Sequence, residues 1–139
     1  MDKKELEELV RRILVEQLGQ GGVCKCSVPA LSTSEADRMD TGNPAHRVYT
    51  HDLFSLEQSP RLGAGLMEME DTTFPWTLNY DEMDYVIEGE LTIVEGDRRT
   101  TAGPGEIIYI PKGSSIEFSV HGRARFLYFV YPANWQQQG

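Results

Sequence analysis

Five oxygen-bearing side chains crowd positions 79–84: Asn79, Tyr80, Asp81, Glu82 and Asp84. Side chains two apart on a strand share a face, so Tyr80, Glu82 and Asp84 point the same way. If that face is the interior of a small barrel, two carboxylates and a phenol meet there. Buried like charges raise one another's pKa or call for a cation, and hard oxygen ligands suit Mg²⁺. The alternative leaves Asp81 and Asp84 on a solvated loop or an outer face. Glu68 and Glu70, upstream, could add a further carboxylate. Lys112, in the turn Pro111-Lys112-Gly113, either reaches a phosphate at the barrel mouth or stays in solvent. Imidazoles are missing from the cluster: His46, His51 and His121 stand apart and read as surface or loop residues. A lone carboxylate makes no tight transition-metal site. Neither a Gly-x-x-x-x-Gly-Lys-Ser/Thr loop, a dinucleotide fingerprint nor a Gly-x-Ser-x-Gly elbow occurs.

Positioning this cluster falls to the elements around it. From Arg47 onward, short apolar runs alternate with turn residues. The expected strands are Val48–Thr50, Gly63–Glu70, Met83–Ile87, Glu90–Glu95, Arg98–Thr101, Ile107–Ile110, Ser115–Val120 and Arg125–Tyr131. Many short strands between glycine- and proline-bearing turns, among them His121-Gly122, predict a sandwich or barrel. Ile116, Phe118 and Val120 alternate with Glu117, Ser119 and His121, so one face is buried and one wet. Phe126–Tyr131 is apolar on both faces, which asks for a cover on each side. A second subunit is one such cover. Pro132-Ala133-Asn134-Trp135 reads as a clasp at the barrel end or dimer seam.

Ahead of the β region, Leu6, Leu9, Val10, Ile13, Leu14 and Leu18 form one apolar stripe on a helical period, and Gly19 stops the helix. Residues 19–45 lack a period and read as a linker, partly draped over the domain. The organisation is thus a helix at 1–18, a linker at 19–45 and a β-barrel domain at 46–139. The stripe needs either its own domain or a partner, and the long linker favours a detachable targeting or assembly helix.

Bulk composition narrows the function classes. The 139 residues carry 13 Lys and Arg against 22 Asp and Glu, a net charge of −9. Such a chain repels nucleic-acid backbones. A bilayer crossing takes ~20 apolar residues, far more than the run Phe126–Tyr131. The start Met1-Asp2-Lys3-Lys4-Glu5 leads into no apolar secretory core. Cys24 and Cys26 are too few for a disulfide framework, and a reducing cytoplasm is the default.

Two stretches resemble the two cupin motifs: Glu82, six residues, Gly89; then Gly105, five residues, Pro111, one residue, Gly113. The positions where cupins place metal histidines fall near Pro75 and Thr77 and on Ile116, so only Glu82 survives. A His-based metalloenzyme is disfavoured. More closely, Phe74-Pro75-Trp76-Thr77-Leu78-Asn79-Tyr80-Asp81-Glu82, Ile110–Phe118, Phe126-Leu127-Tyr128 and Pro132-Ala133-Asn134-Trp135 are similar to the ethanolamine-utilisation EutQ family. The resemblance implies an all-β cupin jelly-roll barrel without the usual metal histidines. It implies an acetate kinase that interconverts acetyl phosphate and ADP with acetate and ATP inside a bacterial microcompartment. Glu82 with Asp84 or Asp81 would then hold Mg²⁺, and Tyr80, Thr77 and Asn79 would orient substrate oxygens. Lys112 would meet phosphate charge. The resemblance also implies a homodimer in the bacterial cytoplasm whose residues 1–18 engage a shell protein. The other reading is a non-catalytic dimeric cupin that tethers microcompartment cargo.

Overall fold

The computed structural model describes residues 2–18 and 22–137, without the side chains of 13–18 and 137. Helix α1 spans Lys3–Leu18. Asp2 opens it by accepting the Glu5 N–H at 2.8 Å, which satisfies a donor the helix cannot. Leu6 and Val10 of the apolar stripe are about half exposed, at 52% and 47%. The side chains of Ile13, Leu14 and Leu18, and the stop at Gly19, lie outside the described residues. No described helix is long and apolar enough to cross a membrane.

Among the described residues seven strands build the barrel: β1 Arg47–Asp52, β2 Gly63–Thr77, β3 Asp81–Glu88, β4 Leu91–Glu95, β5 Arg98–Ala102, β6 Ile107–Ile110 and β7 Ser115–Tyr131. The order is β1-β2-β7-β3-β6, with β4 pairing β5 and the first part of β7. The all-β barrel expected from the turn spacing is present. Its seams differ. Ser115–Val120 and Arg125–Tyr131 are one strand, and Gly63–Glu70 runs on to Thr77. The reason is a bulge. The β2–β7 register slips between Glu70 and Thr72, Asp71 takes φ 41° and Gly122 takes φ 77°. The Asp71 carboxylate accepts the Gly122 N–H at 2.7 Å and locks the bend. An unpaired residue opposite a glycine bends both strands without breaking them. His121-Gly122 is therefore a corner rather than a turn.

Inside, Phe74 stacks on Phe118 with ring centroids 5.3 Å apart. Leu78, Val86, Leu91, Ile110, Val120 and Phe126 fill the rest of the core. Gly65 sits opposite Tyr128, and only a hydrogen leaves room for that ring. The Tyr128 hydroxyl then donates to Asp52 at 2.8 Å.

The stretch expected as linker lies on the barrel from about residue 27. Val28 accepts from Arg125 at 2.8 Å, and the Thr33 N–H donates to Glu68 at 3.0 Å. Arg38 bridges to Tyr49, the Met39 N–H donates to Val48 at 2.8 Å, and Asp37 pairs with His51 at 2.9 Å. Glu68 and Glu70, two apart on β2, share the outer face. Glu68 is buried there as the anchor of Thr33, Arg123 and Arg125, and Glu70 pairs with Arg47. Neither adds a carboxylate to the interior.

Candidate functional site

Strand parity sends alternate residues of β3 inward, and Glu82, Asp84 and Val86 are all buried. Tyr80, just before the strand, keeps the same side and is buried too. Asp84 is fully enclosed, and Glu82 is 5% exposed. Glu82 Oε2 and both Asp84 carboxylate oxygens find no hydrogen-bond partner as ionised groups. The hydrogen bond open to the pair is to one another, which needs a proton on one of them. Burial pushes Glu82 up to about 7, with the bond to Asp84 working against it. Burial, then repulsion from Glu82, lifts Asp84 well above the carboxylate range. Burial and the Glu82 charge also raise the Tyr80 phenol, whose oxygen accepts the Trp76 indole N–H at 2.8 Å.

Above this floor opens a cavity of about 750 Å³. Residues 36–41 form one wall, Thr50 and Pro75–Thr77 the others, and Asn79, Tyr80, Trp135 and Gln136 complete it. Beneath lies a void of about 20 Å³ that touches Glu82. Met39, Thr50, Trp76, Tyr80 and Trp135 line both spaces and so form the partition. Trp135 rests on Tyr80, Trp76 and Tyr128 with ring centroids 5.5, 6.3 and 6.3 Å away.

The expected residues divide into two groups. Tyr80, Glu82 and Asp84 meet in the interior, and Thr77 and Asn79 stand on the cavity rim. Asp81 and Lys112 do not join them, and this corrects their expected place. Asp81 has the opposite parity and accepts the Lys112 backbone N–H at 2.8 Å and the Tyr109 hydroxyl at 3.3 Å. It braces the turn that leaves β6. Lys112 is exposed in that turn and lines no part of the cavity. Sequence reasoning missed Met39, Thr50 and Tyr128. The one available signal was Tyr128 opposite Gly65, since a glycine within a strand marks a close approach.

In their donors Glu82 and Asp84 match a seat for Mg²⁺. Oxygen donors without partners suit a hard cation. The space does not: Mg²⁺ asks for six ligands at ~2.0–2.1 Å and keeps several waters. The void against Glu82 has room for about one water. Among the described residues no group of three His, Cys, Asp or Glu could hold a metal ion. The residues present therefore do not fit a Mg²⁺ between Glu82 and Asp84.

Known proteins share this barrel. The family model described as ethanolamine utilisation protein EutQ matches residues 1–137. A relative from Clostridioides difficile, named acetate kinase EutQ, is 50% identical over 99% of this chain and 96% of its own length. The solved structure of the Clostridium difficile EutQ protein superposes with a TM-score of 0.81 at 58% identity, covering 83% of this chain and 84% of that one. A cupin superfamily protein from Desulfitobacterium hafniense, 18% identical, covers 62% of this chain and 78% of its own at a TM-score of 0.55, which speaks to the fold alone. With the family model matched over residues 1–137 and a half-identical relative over nearly its whole length, this chain belongs to the EutQ family of ethanolamine utilisation proteins.

Proposed function

We propose that the chain is an acetate kinase of ethanolamine catabolism, interconverting acetyl phosphate and ADP with acetate and ATP in the mouth cavity. The observation that carries this is an open cavity of about 750 Å³ with a buried carboxyl pair under its floor. The name of the half-identical relative supports it. An ADP β-phosphate oxygen attacks the phosphorus of acetyl phosphate, the bond from phosphorus to the acyl oxygen breaks, and acetate leaves as an anion. Both reacting groups are already ionised, so no general base is needed. Such chemistry rests on positioning and charge neutralisation. Thr77, Asn79 and Tyr80 on the rim and floor orient substrate oxygens. Glu82 and Asp84 form the floor that sets the depth of the site. The test is Mg²⁺-dependent ATP formation from acetyl phosphate by purified protein. Turnover that falls at least tenfold in Asn79→Ala and Tyr80→Phe supports the assignment; turnover indifferent to both changes sinks it.

A second reading, a dimeric cupin that tethers cargo in the bacterial cytoplasm, is favoured by one outer face. Met83, Tyr85, Ile107, Tyr109 and Tyr131 are exposed there, flanked by half-buried Leu127 and Phe129. A contiguous apolar face of this kind marks an interaction surface. In this reading a second copy covers the face and residues 1–18 engage a microcompartment shell. Sedimentation of Tyr109→Lys separates the two, since loss of the dimer with full turnover leaves the enzyme alone.

A further inference from the structure

The floor of the cavity holds two buried carboxyls that no cationic side chain among the described residues meets. Glu82 Oε2 and both Asp84 oxygens are buried without partners, and among the described residues no Lys or Arg lines the void that Glu82 adjoins. Ionisation of Glu82 beside a protonated Asp84 puts a negative charge in a buried, largely apolar place. Unpaired charge there is costly. The void has three further properties that define what suits it. It is the size of one water. Its walls are aromatic, with Trp76, Tyr80, Tyr128 and Trp135 around Glu82. It shares Met39, Thr50, Trp76, Tyr80 and Trp135 with the open cavity.

An occupant must therefore be cationic, compact and a hydrogen-bond donor, and must tolerate aromatic faces. Mg²⁺ fails on size with its waters. An ammonium head passes each condition. It has the bulk of a water, offers three donors to carboxylate oxygens, and is attracted by the faces of Trp and Tyr rings. We propose that the void beneath the mouth cavity is the seat of a primary ammonium head group, and that the rest of a small organic amine extends past Trp135 into the cavity. Glu82 is the carboxylate that meets the head, and Asp84 stands behind it. The rings set selectivity: a quaternary head is too large for the space. The seat is independent of the kinase reading, although a cation there would also neutralise the floor under anionic substrates.

The test is calorimetric titration of the full chain at fixed ionic strength, in amine-free sodium buffer without nucleotide. The probes are methylammonium, 2-hydroxyethylammonium and tetramethylammonium chloride. The expected result is saturable binding of one equivalent of each primary ammonium and at least tenfold weaker binding of the quaternary ion. Glu82→Gln, which preserves volume, should weaken primary ammonium binding at least tenfold. Trp135→Leu, which keeps the carboxylate and removes one aromatic wall, provides a second variant and should weaken it several-fold. Absent binding, equal affinity for the quaternary ion, or unchanged affinity in Glu82→Gln overturns the assignment. Acetate kinase turnover is measured separately in the same amine-free buffer. Turnover without ammonium binding sinks the seat alone, and binding without turnover sinks the kinase alone.

Discussion

Glu82 should make this protein lose stability as the pH rises through neutrality, which a single substitution can isolate. Its carboxyl stands at about 7 in the fold against an ordinary 4.5. The folded state therefore binds more protons than the unfolded one across that interval. The contribution is fully present below about 4.5 and is lost as the pH climbs through 7. Proton linkage over this interval gives a loss on the order of 2 kcal/mol between roughly pH 5 and pH 8. Asp84 is displaced in the same direction and adds to the loss. The carboxylates held low, Glu68 and Asp37, act oppositely, and their effect is complete below this window. Urea unfolding in amine-free sodium buffers at the two pH values reads the difference directly. Glu82→Gln cannot ionise, so its loss should be smaller by about 2 kcal/mol. Equal losses in the two proteins would mean that Glu82 is solvated or already paired, and the reasoning about the floor would fail with it.

Two further perturbations probe the parts that position the site. In Gly65→Ala the added methyl runs into the Tyr128 ring and displaces its bond to Asp52, so the urea midpoint should drop by the equivalent of about 1–3 kcal/mol; an unchanged midpoint would show that the ring can move aside. Burial lifts the Glu68 carboxyl, but the Arg123 and Thr33 hydrogen bonds hold it below its ordinary value, so its stabilisation is present at neutral pH and fades on acidification. Glu68→Gln should accordingly speed proteolytic cleavage within residues 27–41 at neutral pH, and identical cleavage rates would refute the anchoring role.

Much of the barrel was legible because its signals are local. Turn glycines and alternation along Ile116–Val120 locate strands without knowledge of their partners. The same locality misled at His121-Gly122. A polar residue before glycine reads as a turn, and the bulge at Asp71 that makes it a corner lies about 50 residues away. Parity placed Tyr80, Glu82 and Asp84 on one face, because a period of two survives any long-range packing. It could not place Lys112, whose turn is aimed by a backbone bond to Asp81. Nor could it find the partition. Met39 comes from the presumed linker and Trp135 from the chain's last turn, and only the closed barrel brings them to the same opening.

The order of attachments along residues 27–41 has a mechanical consequence. Coming from α1, the chain first meets the clamps of Val28 on Arg125 and Thr33 on Glu68, and only afterwards becomes the cavity wall at 36–41. A pull on the helix is thus taken up by a pair of arginines and a sunken glutamate on the barrel's flank. Strain on the tail ends there, and the doorway downstream keeps its shape.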